Sequence, residues 1–257
     1  MNNLKAIVVI PARLASSRLP NKVLADIGGY PMLWHVYHRC LQASRASEVH
    51  IATDSEKVAE VVQSWGGKVW MTDSNCASGT ERIVSILEQL EGDIIVNVQG
   101  DLPLIEPAII DQLIDGFQKT TPLPDIITPV CPIEDDKIFD PNLVKVTRQH
   151  DGYALYFSRH PIPYLRDEKP ENWSKSTPFF GHIGIYAYRR EVLEAYHSFP
   201  TSPLEEAEKL EQLRFLQAGK RILTLMTAHY PISVDTQADL ERVCHFLKSG
   251  NVDLDSS

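Results

Sequence analysis

The first half of the chain alternates short apolar runs with segments of helical periodicity. Short apolar runs at positions 6–10, 49–53, 68–71 and 94–98 predict strands, of which those at 6–10 and 94–98 are expected to be buried. Between them, apolar residues recur at helical spacing, as in the segment that begins at Pro31, a residue favoured at the first position of a helix. Alternation at this short spacing is typical of a parallel sheet with crossover helices.

A small-residue loop with three fixed positive charges follows the first strand, which Pro11 is expected to end. Arg13, Arg18 and Lys22 lie close together on a chain whose formal net charge is -9. The loop after a first strand is where open α/β sheets bind ligands, and small residues at 15–17 let the backbone approach an anion. Guanidinium and ammonium groups suit phosphate oxygens. These residues favour a polyphosphate-binding loop over the alternative, a solvated basic loop.

A second polar turn, Ser-Gly-Thr at residues 78–80, opens a helix predicted to run to about residue 90. Such a turn offers free N–H groups to an oxygen-rich ligand. Simple N-capping by Ser78 or Thr80, with Arg82 in solvent, explains the same pattern equally well. The residues alone leave both interpretations open.

An aspartate stands at the end of the strand predicted at residues 94–98. Asp101 comes directly after Gly100, which permits a sharp turn. A carboxylate at the carboxyl end of a central strand is well placed to bind a divalent cation. We favour this interpretation over an Asx turn or a helix cap.

Asp235 is a candidate second carboxylate for the same cleft. It follows a strand predicted at residues 222–226 and precedes the last predicted helix. Its position near Asp239 favours a helix-capping role when the residues are considered without further information.

The chain changes character between about residues 120 and 190, where proline, aromatic and charged residues are frequent. We expect an insertion that covers the site and forms a subunit contact, within a single domain of residues 1–250 followed by a flexible tail at 251–257. Residues 166–178 predict a mobile surface loop. The strands predicted in this part lie at residues 126–130, 144–147, 153–157 and 181–188.

One capped helix is predicted from Ser202 to about Ala218. Ser202, Pro203 and Glu205 fit an N-cap, a first helical position and a capping box. The acidic residues of this helix, Glu205 among them, are expected to form a solvated face.

The composition excludes several classes of protein. A net charge of -9 argues against general nucleic-acid binding, although it permits small anionic substrates at a locally positive cleft. The start of the chain lacks the pattern of a signal peptide, and no apolar stretch approaches a membrane span. The four cysteines are widely spaced without a C-x-x-C pair, which predicts reduced thiols and a cytoplasmic protein.

The motifs PARLASSRLPNK, ATD, SGTER, NVQGD, LYFSR, HIGIY, LEQLR and VDT together resemble one family, the 3-deoxy-manno-octulosonate (Kdo) cytidylyltransferases, across residues 6–247. The resemblance implies an α/β fold of the nucleotide-diphospho-sugar transferase type. That fold is a mixed, mostly parallel sheet with helices on both faces and an inserted, strand-rich dimerisation and sugar-binding region. It also implies a homodimer that uses Mg²⁺ and converts CTP and Kdo to CMP-Kdo and pyrophosphate, for lipopolysaccharide biosynthesis.

The resemblance assigns roles to individual residues. Asp101 and Asp235 become Mg²⁺ ligands, which replaces our preference for Asp235 as a cap, while Arg13 and Lys22 bind the triphosphate. These four are the residues expected to be catalytic. The resemblance also assigns nucleotide binding to Ser78, Gly79 and Arg82. It assigns sugar binding to Gln99, Arg159, His182, Tyr186, Glu211 and Gln212.

Within the sugar set, Arg159 and His182 suit the carboxylate of Kdo. The chain departs from the family pattern at Leu102, where an acidic residue is usual, and at Gly181, where a basic one is usual. The same reaction on 8-amino-Kdo or a sialic acid therefore stays open. A sugar-1-phosphate nucleotidyltransferase would carry a G-x-G-x-R opening in place of PAR. A CTP-binding regulatory protein would have lost a residue such as Lys22.

Overall fold

The alternating runs of the first half form a parallel sheet, as predicted. The computed structural model describes residues 4–14, 18–228 and 230–249. It divides into unit 1, residues 1–115 with 231–257, and unit 2, residues 116–230. Two predicted features lie outside the described residues, namely the small residues Ala15, Ser16 and Ser17 of the polyphosphate-binding loop and the flexible tail.

The strands of unit 1 are β1 (Ala6–Ala12), β2 (Asp26–Ile27), β3 (Tyr30–Pro31), β4 (Glu48–Thr53), β5 (Val69–Met71) and β6 (Ile94–Asn97). Its helices are α1 (Met32–Cys40), α2 (Glu56–Ser64) and α3 (Gly79–Val84), and α4 (Pro107–Lys119) contains the division between the units. The main sheet has the order β5-β4-β1-β6, and every pair in it is parallel. The carboxyl ends of its strands therefore share one edge.

Three boundaries in unit 1 differ from the predictions. Pro11 does not end β1, because the strand stays paired with β4 up to Ala12 after its pairing with β6 has ended at Val9; proline is tolerated where a strand has lost one neighbour. Pro31 lies just before α1 instead of at its first position. The helix predicted to reach residue 90 ends at Val84, where the Ser85 hydroxyl donates to the carbonyl of Arg82 and competes with the helical hydrogen bonds.

The strands of unit 2 are β7 (Ile126–Ile133), β8 (Lys145–Arg148), β9 (Ala154–Ser158), β10 (Phe179–His182), β11 (Tyr186–Arg189) and β12 (Ile222–Met226). Its helices are α5 (Asp135–Ile138), α6 (Trp173–Ser176), α7 (Arg190–Glu194), α8 (Pro203–Glu208) and α9 (Gln212–Gln217). Antiparallel pairing links β11, β7, β10, β8 and β9 in that order, and β12 runs parallel to β7. After unit 2 the chain returns to unit 1 with α10 (Gln237–Ser249).

Unit 2 also corrects three predictions. The strand expected at residues 181–188 is two strands, because Thr128 donates its hydroxyl hydrogen to the carbonyl of Ile185 between them. The helix expected from Ser202 to Ala218 breaks at Lys209, whose φ of 54° is left-handed. The predicted surface loop contains α6, whose Trp173 is buried and stacks on Phe179.

The described residues contain no helix with both the length and the apolar character required to cross a membrane.

Candidate active site

The carboxyl edge of the unit 1 sheet carries the polar residues singled out in the sequence. Arg13 is the first residue after β1, and the segment Gln99–Asp101 follows β6. Because β1 and β6 are adjacent and parallel, these segments leave the sheet side by side. Gly100 allows a close approach of the two segments, since a β-carbon there would lie only 3.2 Å from the carbonyl oxygen of Pro11.

A lysine joins the two aspartates of the predicted metal site. The Lys22 ammonium donates to Oδ2 of Asp101 at 2.7 Å and to Oδ1 of Asp235 at 3.0 Å. A backbone hydrogen bond also joins the segments that carry the two aspartates, because the Val234 N–H donates to the carbonyl of Asp101 at 2.9 Å. Arg18 adds a second cation, with its Nη2 2.9 Å from the same Asp235 oxygen. Residues distant in sequence thus form one charged cluster.

This cluster keeps Lys22 charged. Burial by itself lowers the pKa of a lysine, but the negative charges and hydrogen bonds of Asp101 and Asp235 outweigh burial, and the pKa of Lys22 lies above its ordinary value. An ammonium with a raised pKa remains a cation throughout the neutral pH range.

Asp235 is not the cap of α10. The capping carboxylate is Asp239, whose Oδ2 accepts the N–H groups of Asp235 and Thr236 and the hydroxyl of Thr236. The Asp235 carboxylate instead faces Lys22 and Arg18. The capping role favoured from the residues alone is therefore wrong.

The donor set of this cluster fits a hard divalent cation. Two carboxylates bound to one ammonium already hold a positive charge between them, and carboxylate oxygen is the ligand that Mg²⁺ prefers. The described residues contain no group of three or more His, Cys, Asp or Glu arranged to hold a metal. Protein ligation by Asp101 and Asp235 alone would leave the remaining positions to phosphate oxygens and water, as is usual for Mg²⁺.

A cleft of about 150 Å³ lies at the same edge of unit 1. It brings together four of the predicted nucleotide-binding residues and one predicted sugar-binding residue, Gln99. The residues that line it are Pro11, Ala12, Arg13, Cys76, Ala77, Ser78, Gly79, Arg82 and Gln99.

The turn before α3 both caps the helix and lines the cleft. The Ser78 hydroxyl accepts the N–H of Glu81, so the capping interpretation is confirmed. Gly79 lies close to the end of β1, where a β-carbon would be 3.2 Å from Cγ of Pro11. The cap therefore does not exclude a ligand-binding role, because the same turn forms one wall of the cleft.

Arg82 is buried, so the alternative that placed its side chain in solvent is wrong. Its Nη2 lies 3.1 Å from a carboxylate oxygen of Asp54, and its Nη1 donates to the Thr72 hydroxyl. A buried charge needs such partners. These contacts hold the guanidinium in place at the cleft wall.

Asp54 and Thr72, the partners of Arg82, were not assigned to the site from the sequence. Asp54 belongs to the ATD motif directly after β4, which is the parallel neighbour of β1. The position of Asp54 could have been predicted from the sequence, because a carboxylate that follows a neighbouring parallel strand lies at the same edge of the sheet. Arg18 was singled out as a loop cation, but its contact with Asp235 required the tertiary structure.

The other predicted sugar-binding residues lie in unit 2. His182 is buried, and burial lowers its pKa to about 3, so its imidazole is neutral at neutral pH. Its Nε2 lies 3.0 Å from Oγ1 of Thr128, which uses its own hydrogen on the Ile185 carbonyl. Nε2 therefore carries the proton and Nδ1 is an acceptor. A neutral histidine suits a sugar hydroxyl better than the carboxylate suggested from the sequence.

Tyr186 and Gln212 form a buried polar pair. The Tyr186 hydroxyl donates to Oε1 of Gln212 at 3.1 Å. Burial, followed by the charge of Glu211, raises the pKa of Tyr186 well above its ordinary value. The Nε2 of Gln212 is buried and has no hydrogen-bond partner among the described residues. An unpartnered buried donor of this kind is expected where a ligand supplies the acceptor.

Arg159 and Glu211 have protein partners already. Arg159 donates from Nε to the carbonyl of Glu208 and from Nη1 to that of Pro141. Glu211 accepts the hydroxyl hydrogen of Tyr196 at 2.8 Å. The sugar-binding roles of the unit 2 residues stay predictions.

The two departures from the family pattern have structural reasons. Leu102 is buried, so an acidic residue would lose its hydration there. At Gly181 a β-carbon would lie 2.8 Å from Cγ2 of Ile133 and 3.2 Å from Cδ1 of Leu143, which leaves no room for a basic side chain.

Comparison with known proteins gives consistent results. Residues 7–222 match the sequence family described as cytidylyltransferase. A relative from Geobacter sulfurreducens, a 3-deoxy-manno-octulosonate cytidylyltransferase, is 44% identical over 247 residues that cover 93% of this chain and 98% of that protein. One of the same name from Saccharophagus degradans is 47% identical over 252 residues, covering 95% of this chain and 98% of that protein.

A solved structure shows the same fold. The structure of CMP:2-keto-3-deoxy-manno-octonic acid synthetase complexed with CTP superimposes with a TM-score of 0.90 at 43% sequence identity. It covers 96% of this chain and 100% of that one.

Proposed function

Because the chain belongs to the cytidylyltransferase family, among the 3-deoxy-manno-octulosonate cytidylyltransferases, we propose that it transfers CMP from CTP to Kdo for lipopolysaccharide biosynthesis. The anomeric hydroxyl oxygen of Kdo forms a bond to the α-phosphorus, the bond from that phosphorus to the β-phosphate oxygen breaks, and pyrophosphate leaves. The observation that carries the proposal is the Lys22 ammonium held by Asp101 and Asp235 at the edge where Arg13 lines a cleft.

The chain's own residues act by position and charge. Phosphoryl transfer depends on holding the reactants in line and on neutralising the charge of the phosphoryl oxygens. Arg13 and Lys22 bind the β- and γ-phosphates and stabilise the leaving pyrophosphate. Arg82, fixed by Asp54 and Thr72, holds its side of the cleft in shape.

We propose that Asp101 and Asp235 hold Mg²⁺. When bound there, Mg²⁺ neutralises charge on the α-phosphate. With Mg²⁺ held by Asp101 and Asp235, the Lys22 ammonium would bind phosphate oxygens, whose negative charge would favour its charged form as the carboxylates do in this structure.

The test is pyrophosphate release from CTP with Kdo, 8-amino-Kdo or N-acetylneuraminic acid. We expect release with Kdo, loss of release when EDTA removes divalent cations, and recovery with excess Mg²⁺. Faster release with 8-amino-Kdo than with Kdo would leave the proposed mechanism unchanged and would identify 8-amino-Kdo as the substrate. A protein that binds CTP but releases no pyrophosphate with any of the three would be a binding protein and not an enzyme.

We also propose that the chain forms a homodimer through unit 2. Large apolar side chains of unit 2 are exposed, with Leu155 57% and Tyr164 72% exposed, and such side chains often mark interfaces. Leu155→Asp should give a monomer in sedimentation velocity. Leu41→Asp is the control, since Leu41 is 51% exposed in unit 1 and this change should leave the dimer intact. A wild-type monomer would contradict the proposal.

We further propose that the reaction takes place in the cytoplasm. All four cysteines are free thiols, which fits a reducing compartment.

A further inference from the structure

Unit 2 contains a buried lysine that the proposed mechanism does not use. Lys145 is fully buried in β8. Its ammonium donates to the carbonyl oxygens of Asp140 at 2.7 Å, Leu143 at 2.7 Å and Arg159 at 2.5 Å. An ammonium has three hydrogens, so each is used on backbone.

The position costs free energy and therefore needs an explanation. Among the described residues, Lys145 forms no ion pair, and burial lowers its pKa. Burying a charge outside an ion pair is unfavourable, and the three carbonyl oxygens, with the more distant carboxylates of Asp140 and Glu208, offset only part of that cost. A methionine or leucine would satisfy packing at this site, so packing alone does not explain a lysine.

The strand register places Lys145 between two predicted sugar-binding segments. It lies opposite Ser158, the residue before Arg159, and opposite Gly181, the residue before His182. Its direct hydrogen bond to the Arg159 carbonyl fixes the backbone from which that side chain extends.

The Arg159 side chain depends on the same backbone. Its Nη1 donates to the carbonyl of Pro141, which lies in the segment held by Lys145 through Asp140 and Leu143. Its Nε donates to the carbonyl of Glu208, and its backbone N–H to the Glu208 carboxylate. Within the described residues, both Nη2 hydrogens and one Nη1 hydrogen of Arg159 remain for a ligand, in the fork that suits a carboxylate.

We propose that Lys145 is a positioning residue for the sugar acid: it holds Arg159 and the segment around Pro141 in place and adds a second positive charge behind the guanidinium that receives the sugar carboxylate. This inference rests on the proposed function. It explains the charge, because a buried cation that no ion pair neutralises raises the local positive potential toward an anionic ligand, although the carboxylates of Asp140 and Glu208 reduce that effect.

The test compares Lys145→Met with the wild type in the pyrophosphate-release assay. We expect the KM for Kdo to rise about 10- to 100-fold, as when a supporting residue is lost or a binding group is misplaced, while the KM for CTP stays within about twofold. In the Arg159→Ala background, Lys145→Met should raise the KM for Kdo by less than about twofold, because residues that act through one another are not additive.

A matched control separates positioning from stability. Ile222→Ala removes a fully buried side chain of β12 in the same unit, and it should lower the Tm without changing the ratio of the two KM values. If Lys145→Met does not fold, Lys145→Gln, which keeps two N–H donors, takes its place with the same expected KM split.

The outcomes distinguish this inference from the proposed function. An unchanged KM for Kdo, an equal rise in both KM values, or full additivity with Arg159→Ala would overturn the role of Lys145. Absence of pyrophosphate release from the wild type with CTP and Kdo would instead overturn the proposed function, and with it the sugar-binding premise of this inference.

Discussion

At the scale of single residues, the central feature is a cation shared by two carboxylates. Asp101 and Asp235 would repel one another without a positive group between them. Lys22, only 14% exposed at its side chain, supplies that charge with short hydrogen bonds to both. Under the proposed function, Lys22 and Mg²⁺ are alternative partners of the same oxygens, so the loss of one carboxylate should affect catalysis far more than folding.

Asp101→Asn is expected to lower kcat by at least about 100-fold, because the proposed metal ligand is lost where phosphoryl charge must be neutralised. The Tm should change little, since Lys22 keeps Asp235 as a partner. Pyrophosphate release and thermal unfolding measure the two quantities. Asp151→Asn, at an exposed aspartate of unit 2, is the control. Near-normal turnover of Asp101→Asn with Mg²⁺ would contradict the metal assignment.

Arg159→Ala is expected to raise the KM for Kdo by about tenfold or more, because a charge-assisted contact with the sugar carboxylate is lost. The affinity for CTP should be retained. Arg190→Ala, which removes a helix-surface ion pair with Glu194, is the matched control and should leave both unchanged. Loss of CTP binding in Arg159→Ala would place this residue on the nucleotide side.

At the scale of elements, the break between α8 and α9 matters most. Lys209 takes a left-handed conformation, and the chain turns there between Glu208 and Gln212. The break lets Glu208 accept hydrogens from the Ser158 hydroxyl and the Arg159 N–H, while Gln212 meets Tyr186. One straight helix could not present both residues in this way, because positions four apart share a face and a direction.

Lys209→Gly is expected to stabilise the protein by about 0.5–1 kcal/mol, since glycine adopts a positive φ without the steric cost paid by other residues. Urea unfolding measures the change. Lys209→Ala keeps the β-carbon and should give no such gain. Destabilisation by the glycine variant would show that the lysine side chain itself supports the turn.

At the scale of the whole molecule, buried neutral groups set the dependence of stability on pH. The pKa of His182 is lowered by burial to about 3 in the folded chain, against about 6.5 for an exposed histidine. Between these values the unfolded state binds one proton more than the folded state, so stability rises with pH and falls on acidification.

The free energy of unfolding should therefore drop by about 1.4 kcal/mol per pH unit from this residue as pH falls from 6 to 4. Urea unfolding at several pH values measures the slope. His182→Gln, which cannot titrate, should reduce the slope by that amount whatever its absolute stability. An unchanged slope would mean that His182 is not buried in its neutral form.

The sequence by itself determined the parallel sheet, the positions of its strands and the residues at its carboxyl edge. Apolar runs and helical periodicity are local patterns, and parallel strands end at a common edge, so Arg13 and Asp101 were predictable as site residues. The motifs identified the family, whereas the sugar-binding set that they imply stays a prediction. Ser202 and Ser78 were also predictable as caps, because capping depends on neighbours three residues away.

Only the tertiary structure decided which partners these residues meet. The pairing of Lys22 with Asp235, the burial of Arg82 on Asp54 and the hydrogen bond from Lys145 to the Arg159 carbonyl join positions that are not neighbours in sequence. The break at Lys209 also could not be predicted from neighbouring residues, because Glu208 and Gln212 contact Arg159 and Tyr186, which lie far from them in sequence. The charge and helix propensity of a residue follow from its type alone, whereas its burial and its contacts depend on packing. Packing therefore decided whether the Asp235 carboxylate would cap a helix or contact a cation.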